Sequence, residues 1–167
     1  SRISAGSIDL SPQPVEVSSL VTSVLDGVRP AARARGVELR AVLGEHPPLL
    51  ASPAEAARVL RNLVDNAVRH TPRGGTVEVT VADESSEAVV SVVDESVSIP
   101  NEDLDRVFDV AFRGDVARGR DEGGGGLGLA IAKGLVEAQD GSIAVSNHPG
   151  GCCFTVRFPW AGGHDGA

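Results

Sequence analysis

Apolar residues recur at helical spacing in three stretches of the chain and alternate with polar residues in most of the others. The helical spacing, with apolar positions three and four residues apart, predicts helices over 17–35, 52–70 and 127–139. A shorter helix is expected near 102–110. The alternating stretches predict strands over 37–43, 76–82, 88–94, 142–146 and 152–158, with 49–51 as a short apolar segment and 83–87 as a hairpin loop.

Local signals mark the ends of these helices. Ser52 and Glu55 match a capping box, in which each side chain bonds the backbone of the other residue, and Pro53 suits the first helical position. The helix that they begin is expected to end before Pro72. Pro30 lies inside the first predicted helix and is expected to kink or restart it.

Helices and hairpins in this order predict an α+β fold, in which helices cover one face of a mixed sheet. The length of 167 residues fits one domain, and an aromatic content of 3% requires an aliphatic core. Residues 1–10 are expected to be a lead-in and 11–160 the domain itself. The Gly-rich end is expected to be frayed from Trp160, with 161–167 as a flexible tail.

The formal net charge of −8 excludes several classes of partner. A general nucleic-acid binder carries a basic face, and docking on an anionic membrane by charge requires one as well.

No run of 18 apolar residues is present, so no membrane insertion is expected, and no signal peptide is visible. Cys152 and Cys153 are adjacent, which is typical of reduced thiols rather than of a disulfide or a zinc site. Together these features predict a cytoplasmic location.

A polar stripe runs along the second predicted helix. A rotation of about 100° per residue places Asn62, Asn66, Arg69 and His70 on one side and the apolar residues on the other. The stripe is either an ordinary solvated face or a binding face. Solvated faces usually carry Glu and Lys rather than two Asn, which are weak helix formers. An amide oxygen suits a magnesium ion that also holds phosphate oxygens, and an arginine one turn away grips phosphate.

Four consecutive glycines, 123–126, stand directly before the third predicted helix. Free backbone N–H groups at a helix N-terminus favour an anion, and glycine lets the backbone approach phosphate closely. A flexible linker is the alternative, which Leu127, Leu129 and Ile131 disfavour because they supply apolar anchors. The segment is neither a P-loop nor a dinucleotide fingerprint, because the residues that would complete either motif are missing.

Four segments together resemble the ATP-binding domain of bacterial sensor histidine kinases. Residues 62–72 (NLVDNAVRHTP) are similar to the N box, 92–100 to the first glycine box, 106–115 to the F box and 124–131 to the second glycine box. They follow the order and spacing of the family, and the resemblance covers residues 10–160. It implies the Bergerat fold shared by gyrase, a heat-shock chaperone, histidine kinases and MutL. That fold is a two-layer α/β sandwich with a mixed, mostly antiparallel sheet, helices on one face and a mobile ATP lid, here residues 101–126.

The resemblance also implies roles within an Mg-ATP site. Asn66 would bind Mg²⁺ with support from Asn62, and Arg69 and His70 would contact phosphates or ribose. Asp94 would accept a hydrogen bond from the exocyclic amine of adenine. Arg113 would reach the terminal phosphate. The resemblance thus implies three catalytic residues, Asn62, Arg69 and Arg113. The implied nucleotide site is completed by Ile99, Gly124, Gly126, Leu127, Gly128 and Leu129.

Asn62 occupies the position that separates the subfamilies. ATP-hydrolysing relatives carry a Glu there that activates water, and an amide cannot act as a general base. Transfer of the γ-phosphate to a protein is therefore favoured over hydrolysis. Anti-sigma serine kinases also tend to carry Glu here, so the histidine kinase branch is preferred and a serine protein kinase is kept as an alternative.

The first glycine box departs from the family pattern Asp-x-Gly-x-Gly, because Ser96 and Ser98 replace both glycines. Where these positions need a positive φ, each serine would cost about 1 kcal/mol. Two such costs would weaken ATP binding about ten- to a hundredfold. Because Asp94 is retained, we expect weakened binding, and a degenerate, nucleotide-free interaction module is the alternative.

The second departure concerns the phosphoacceptor. None of the four histidines, at positions 46, 70, 148 and 164, opens a long amphipathic helix. The acceptor is therefore expected on a separate or severed histidine-containing dimerisation domain, with a response regulator as the subsequent partner. Residues 1–10 would be the stump of that domain, and the chain in isolation would be a monomer.

Overall fold

The computed structural model of the chain describes residues 10–109 and 125–163. Its helices are α1 (Val17–Arg35), α2 (Pro53–His70) and α3 (Gly125–Glu137), with short 3-10 helices over Asn101–Arg106 and Ala161–Gly163. Its strands are β1 (Gln13–Val15), β2 (Glu38–Val42), β3 (Leu49–Ala51), β4 (Thr76–Glu84), β5 (Glu87–Val93), β6 (Ser142–His148) and β7 (Gly151–Pro159). The three long helices and both long hairpins predicted from the sequence are confirmed, with small shifts at their ends. The short helix expected near 102–110 is a 3-10 helix that ends at Arg106.

Five strands form one mixed sheet in the order β2-β4-β5-β7-β6. The β2–β4 pair is parallel, and the other three pairs are antiparallel. Parallel strands need a crossover connection, and here β3 and α2 supply it. The antiparallel pair β1–β3 forms a separate two-stranded sheet. The predicted α+β fold with a mixed, mostly antiparallel sheet is confirmed.

The core lies between the five-stranded sheet and the helices. On β4 the buried residues Val77, Val79 and Val81 alternate with half-buried polar residues, so one face of the strand is covered. α2 packs between α1 and α3 and also contacts β4 and β5. Burial of each large apolar side chain contributes about 1.5–3 kcal/mol, which explains why aliphatic helix faces hold the layers together. The largest fully buried side chains include Leu49, Leu60, Leu63, Leu135, Phe158 and Trp160.

α1 continues through Pro30 as one helix, so the predicted restart there is wrong. Pro30 is exposed, and water can satisfy the carbonyl that its missing N–H leaves unbonded. The helix ends at Arg35, and the following residue, Gly36, has a φ of 72°. The N–H of Val37 then bonds the Ala32 carbonyl at 2.9 Å, as in a Schellman motif.

The β4–β5 hairpin is longer than predicted and its loop is shorter. Only Ser85 and Ser86 connect the strands, with φ values of 53° and 67°. Two-residue hairpin turns of the I′ type need a positive φ at both positions, which is usually supplied by Asn and Gly. The predicted loop over 83–87 is therefore wrong in extent, because pairing of the strands outweighs the strain at two serines.

The predicted capping box at the start of α2 is also wrong. Ser52 makes no side-chain capping bond, and its Oγ is buried without a partner among the described residues. Its backbone N–H instead donates to Oε1 of Gln139 at 2.7 Å, and Nε2 of Gln139 donates to the Leu135 carbonyl at 2.9 Å. Pro53 takes the first helical position as predicted. The distant amide of Gln139, two residues beyond α3, thus accepts the bond from the Ser52 N–H that the capping box assigned to Glu55.

Trp160 was expected to begin a frayed end, and this expectation is wrong. Its side chain is 2% exposed, and Nε1 donates to Oδ1 of Asp83 at 2.9 Å. Its ring stacks on His46 with a centroid distance of 5.7 Å. The backbone N–H of the following residue, Ala161, donates to the Pro48 carbonyl at 2.9 Å. The chain after β7 therefore closes one end of the core. Residues 164–167 and 1–9 lie outside the described part of the chain.

Candidate functional site

The polar stripe on α2 begins with Asn62 beside the first turns of α3 and ends with His70, which is close enough to Asp94 after β5 to feel its charge. Asn62, Arg69 and His70 are half-buried, while Asn66 is only 7% exposed. The apolar residues predicted for the opposite side of the helix are all buried, namely Leu60, Leu63, Val64, Ala67 and Val68. The helical geometry of the stripe is confirmed, and the burial of Asn66 shows that the stripe is not an ordinary solvated face.

The Asn66 amide is the group in the stripe that best fits a metal ligand. No hydrogen bond from another described residue reaches this side chain. The amide atoms are nevertheless not sealed from solvent, since Ser52 Oγ is the one fully buried polar side-chain atom without a partner among the described residues, so the amide oxygen is available to a ligand. Among residues 10–109 and 125–163, no cluster of three or more His, Cys, Asp or Glu is arranged to hold a metal. A magnesium ion here would take one amide oxygen from the protein and its other ligands from phosphate and water.

Asn62 connects α2 to α3. Its Nδ2 donates to the carbonyl oxygen of Gly128 at 3.1 Å. The contact joins residues 66 positions apart, and it places the first turn of α3 beside the polar stripe. The suggested support of Asn66 by Asn62 stays a prediction, while this bond to Gly128 is a contact that the sequence did not reveal.

His70 and Arg69 end α2 in a partly buried, positively charged setting. Burial lowers the pKa of His70, the neighbouring Arg69 and Arg35 lower it further, and Asp94 opposes them. Burial likewise lowers the pKa of Arg69, which Asp65 opposes and Arg35 reinforces. Arginine stays cationic at any ordinary pH, whereas a lowered pKa keeps the imidazole neutral near pH 7. The pair therefore offers one cation and one neutral hydrogen-bonding group.

Asp94, directly after β5, is 1% exposed. One carboxylate oxygen, Oδ1, accepts three hydrogen bonds: from the N–H of Ser96 at 3.0 Å, the Oγ of Ser96 at 2.7 Å and the N–H of Cys152 at 3.0 Å. The other oxygen, Oδ2, accepts none from the described residues. Donors to Oδ1 compensate the burial of this side chain, and Oδ2, which is not sealed from solvent, remains available as an acceptor.

The β6–β7 hairpin holds Asp94 in place. The N–H of Asp94 donates to the Cys152 carbonyl at 2.9 Å, and Nε2 of His148 lies 3.0 Å from the Asp94 carbonyl oxygen. A Cβ on Gly151 would stand 1.9 Å from that same oxygen. Only glycine fits at such an approach. The adjacent glycines 150–151 were a sequence signal for this contact, but nothing in their spacing pointed to Asp94.

Asn147 holds the segment that follows Asp94. Its Oδ1 accepts from the N–H of Ile99 at 2.9 Å, and its Nδ2 donates to the Ile99 carbonyl at 2.8 Å. Ile99 also packs against the core. This two-bond contact positions Ile99 beside the candidate site, and sequence reasoning missed Asn147 because the contact spans 48 positions.

The serines at 96 and 98 do not carry the expected backbone strain. Among the described residues other than glycine, only Ser85, Ser86 and Asp140 have a positive φ. The predicted penalty for a left-handed serine therefore does not arise. The Ser96 side chain instead bonds Asp94, and Ser98 is exposed.

The glycine run leads into α3, which begins at Gly125, two residues before the predicted start. Gly126, Leu127, Gly128 and Leu129 lie in its first turns, so their backbone is helical, and Leu129 is buried. The free N–H groups at this helix start are suited to an anion. Gly124 and Arg113 lie outside the described residues, as does most of the predicted lid.

The chain resembles sensor kinases along most of its length. The family described as histidine kinase-, DNA gyrase B-, and HSP90-like ATPase matches residues 51–162. The sensor-like histidine kinase SenX3 of Mycobacterium tuberculosis is 36% identical over 146 residues, which are 87% of this chain and 36% of SenX3. The chain thus spans little more than a third of the length of that relative. No helix within the described ranges is long and apolar enough to span a bilayer.

The solved structures that share the fold include ShkA and MprB. Full-length ShkA, crystallised in complex with AMPPNP, has a TM-score of 0.79 at 29% identity, over 92% of this chain and 32% of ShkA. The mycobacterial sensor histidine kinase MprB has a TM-score of 0.75 at 26% identity, over 89% of this chain and 97% of MprB. Both likenesses extend over about nine-tenths of this chain. The chain therefore belongs to the histidine kinase-, DNA gyrase B-, and HSP90-like ATPases, as an ATP-binding domain of the sensor histidine kinase type.

Proposed function

We propose that this chain binds Mg-ATP and donates the γ-phosphate to a histidine on a separate dimerisation domain in two-component signal transduction. The observation that carries the proposal is the Asp94 carboxylate, which is 1% exposed and keeps Oδ2 without a donor from the described residues. An acceptor oxygen that has no donor from the protein favours a ligand that brings an N–H group. The exocyclic amine of adenine is such a donor, so Asp94 would select adenine.

The phosphate end of the site would lie along α2 and the start of α3. Asn66 would hold Mg²⁺ through its amide oxygen, and the ion would neutralise charge on the phosphates when bound. Arg69 and His70 would contact phosphates or ribose, and Arg113 would reach the terminal phosphate. Residues 101–126 would close over the nucleotide as a lid. The remaining nucleotide contacts would come from Ile99, Gly124, Gly126, Leu127, Gly128 and Leu129.

Phosphoryl transfer to a protein, rather than hydrolysis, is supported by Asn62. An amide cannot accept a proton from water, and the Nδ2 of Asn62 is already bonded to Gly128. In phosphoryl transfer the protein positions the reactants and neutralises charge, while the attacking group comes from the acceptor. The residues of this chain would therefore orient the γ-phosphate, and the nucleophile would belong to the partner.

The acceptor would lie on another domain. His46 stacks on Trp160, His70 ends α2 within the site, and His148 contacts the Asp94 backbone. None of these three described histidines lies on an exposed helix that offers a phosphoacceptor. The partner would be a histidine-containing dimerisation domain and then a response regulator. The isolated chain would be monomeric and cytoplasmic.

Calorimetric titration of ATP with Mg²⁺ tests the nucleotide site. We expect saturable binding that is lost in Asp94→Asn, because an amide NH₂ replaces an acceptor oxygen. Asp140→Asn is the matched control, since it removes the same charge from an exposed turn. Unchanged binding in Asp94→Asn would contradict the adenine assignment. A folded chain that binds no ATP at millimolar concentration would favour the interaction module.

Phosphotransfer tests the acceptor. The chain, ATP labelled on the γ-phosphate and a purified histidine-containing dimerisation domain of a sensor kinase are incubated together. We expect label on the dimerisation domain that is lost in acid, as phosphohistidine is, and no label on this chain. Acid-stable label would identify a serine kinase of the anti-sigma type instead.

A further inference from the structure

Ser96 supplies two of the three hydrogen bonds to the Asp94 carboxylate. Both go to Oδ1, from the backbone N–H at 3.0 Å and from Oγ at 2.7 Å, and the N–H of Cys152 brings the third. These donors approach from two separate segments of the chain. A carboxylate held in this way has a defined plane, and its second oxygen, Oδ2, receives none of the three bonds.

We infer that Ser96 is a positioning residue, whose hydroxyl fixes the Asp94 carboxylate so that Oδ2 is presented to the exocyclic amine of a purine base. The inference rests on the proposed function, because it concerns the same site. A hydroxyl that donates to an ionised oxygen forms a short, charge-assisted bond, and 2.7 Å is typical of one. Glycine at this position would offer the backbone N–H alone.

The backbone around Ser96 is itself held, so the hydroxyl has a fixed base from which to act. Cys152 Sγ lies 3.8 Å from the Val97 carbonyl, and Asn147 bonds both backbone groups of Ile99. These contacts restrain the backbone segment that carries the Ser96 side chain. Ser98, by contrast, is exposed and makes no hydrogen bond with the described residues. It provides a matched control in the same segment.

The test compares two nucleotides that differ in one group. ATP carries the exocyclic amine, and purine riboside 5′-triphosphate lacks it. Calorimetry with Mg²⁺ gives Kd values for the whole chain and for Ser96→Ala, Ser96→Thr and Ser98→Ala, and thermal melting verifies that each variant is folded. We expect Ser96→Ala to weaken ATP binding about three- to tenfold, as loss of one hydrogen bond does. Its affinity for purine riboside triphosphate should be unchanged.

Ser96→Thr retains the hydroxyl and should restore discrimination between the two nucleotides, while Ser98→Ala should resemble the unmodified chain. The inference would be overturned if Ser96→Ala bound ATP as tightly as the unmodified chain does. It would also be overturned if Ser96→Ala lost affinity for ATP and for purine riboside triphosphate equally. Ser96→Gly adds a further check, since tighter ATP binding than in the unmodified chain would mean that the serine obstructs the base. An unmodified chain that binds neither nucleotide would overturn the proposed function, and the inference with it.

Discussion

The backbone carbonyl oxygen of Asp94 lies 1.9 Å from the point where a Cβ on Gly151 would stand. Real atoms do not approach so closely, and the obstacle is backbone rather than the end of a flexible side chain. Position 151 therefore shapes the candidate site although it lies 57 residues further along the chain. Gly151, at the start of β7, and Asp94, directly after β5, therefore form one packed unit.

Gly151→Ala should displace Asp94 and destabilise the chain. Forcing an extra methyl group into a packed site costs about 1–3 kcal/mol, and we expect the free energy of unfolding in urea to fall by that amount. ATP binding should weaken as well, because the carboxylate moves. Gly27→Ala is the control, since its Cβ would meet only the flexible end of Arg61 at 3.2 Å. An alanine at 151 with full stability would contradict the close approach.

Asn62→Asp should loosen the contact between α2 and α3. The substitution keeps the shape of the side chain but replaces the donor with an oxygen opposite the Gly128 carbonyl. We expect the free energy of unfolding to fall by about 1–3 kcal/mol and ATP binding to weaken. Urea denaturation and calorimetry measure the two effects. Asn101→Asp, at an exposed position, should change neither, and equal behaviour of both variants would exclude a role for the Asn62 bond.

Gln139→Ala should destabilise the fold without acting on the nucleotide site directly. It leaves the buried N–H of Ser52 without its acceptor, and an unsatisfied buried donor costs about 1–3 kcal/mol. Thermal melting and urea denaturation would show the loss. Gln13→Ala, at an exposed position on β1, should have little effect. If the two variants melt alike, the capping role of Gln139 is wrong.

His70 should make the stability of the chain depend on pH. Its pKa is lowered in the folded chain below the ordinary value of 6.5, first by burial and then by Arg69, with Asp94 opposing and Arg35 reinforcing. The unfolded chain therefore binds the proton more readily, so this contribution to stability is present above pH 6.5 and is lost as the pH falls below that value.

The measurement is the free energy of unfolding at about pH 7.5 and about pH 5.5 in the unmodified chain and in His70→Gln. Acidification should destabilise the unmodified chain more than the variant, because glutamine cannot take up the proton. Carboxylates that titrate in this range act in both proteins and cancel in the difference. Identical pH profiles would show that His70 contributes nothing.

Local patterns predicted most of the regular elements and the order of the motifs. α1 and α2 were located within a residue of their ends, because helical periodicity depends on neighbours three and four positions apart. The polar stripe of α2 follows from the same geometry. Asp94 was singled out by its place in a motif, and its burial agrees with that choice. Arg113 and Gly124 stay predictions.

Two of the errors occurred where distant residues replace a local contact. Ser52 was expected to form a capping box, and an amide 87 positions away provides the bond instead. Trp160 was expected to be frayed, and it is buried with its Nε1 on Asp83, 77 positions away. The strain expected at Ser96 is missing because the backbone there takes an ordinary φ. No periodicity or local propensity carries information of this kind.

Composition and spacing over a few residues are sufficient to predict the helices, the hairpins and the set of chemical groups available for a nucleotide site. How those groups are held depends on tertiary packing. It places Gly151 against the Asp94 backbone, Asn62 on Gly128 and Ser96 on the carboxylate. Such contacts arise from the packing of the β6–β7 hairpin and α3 against the rest of the chain. Packing joins residues that have no local relation, because close contact depends on the path of the whole backbone.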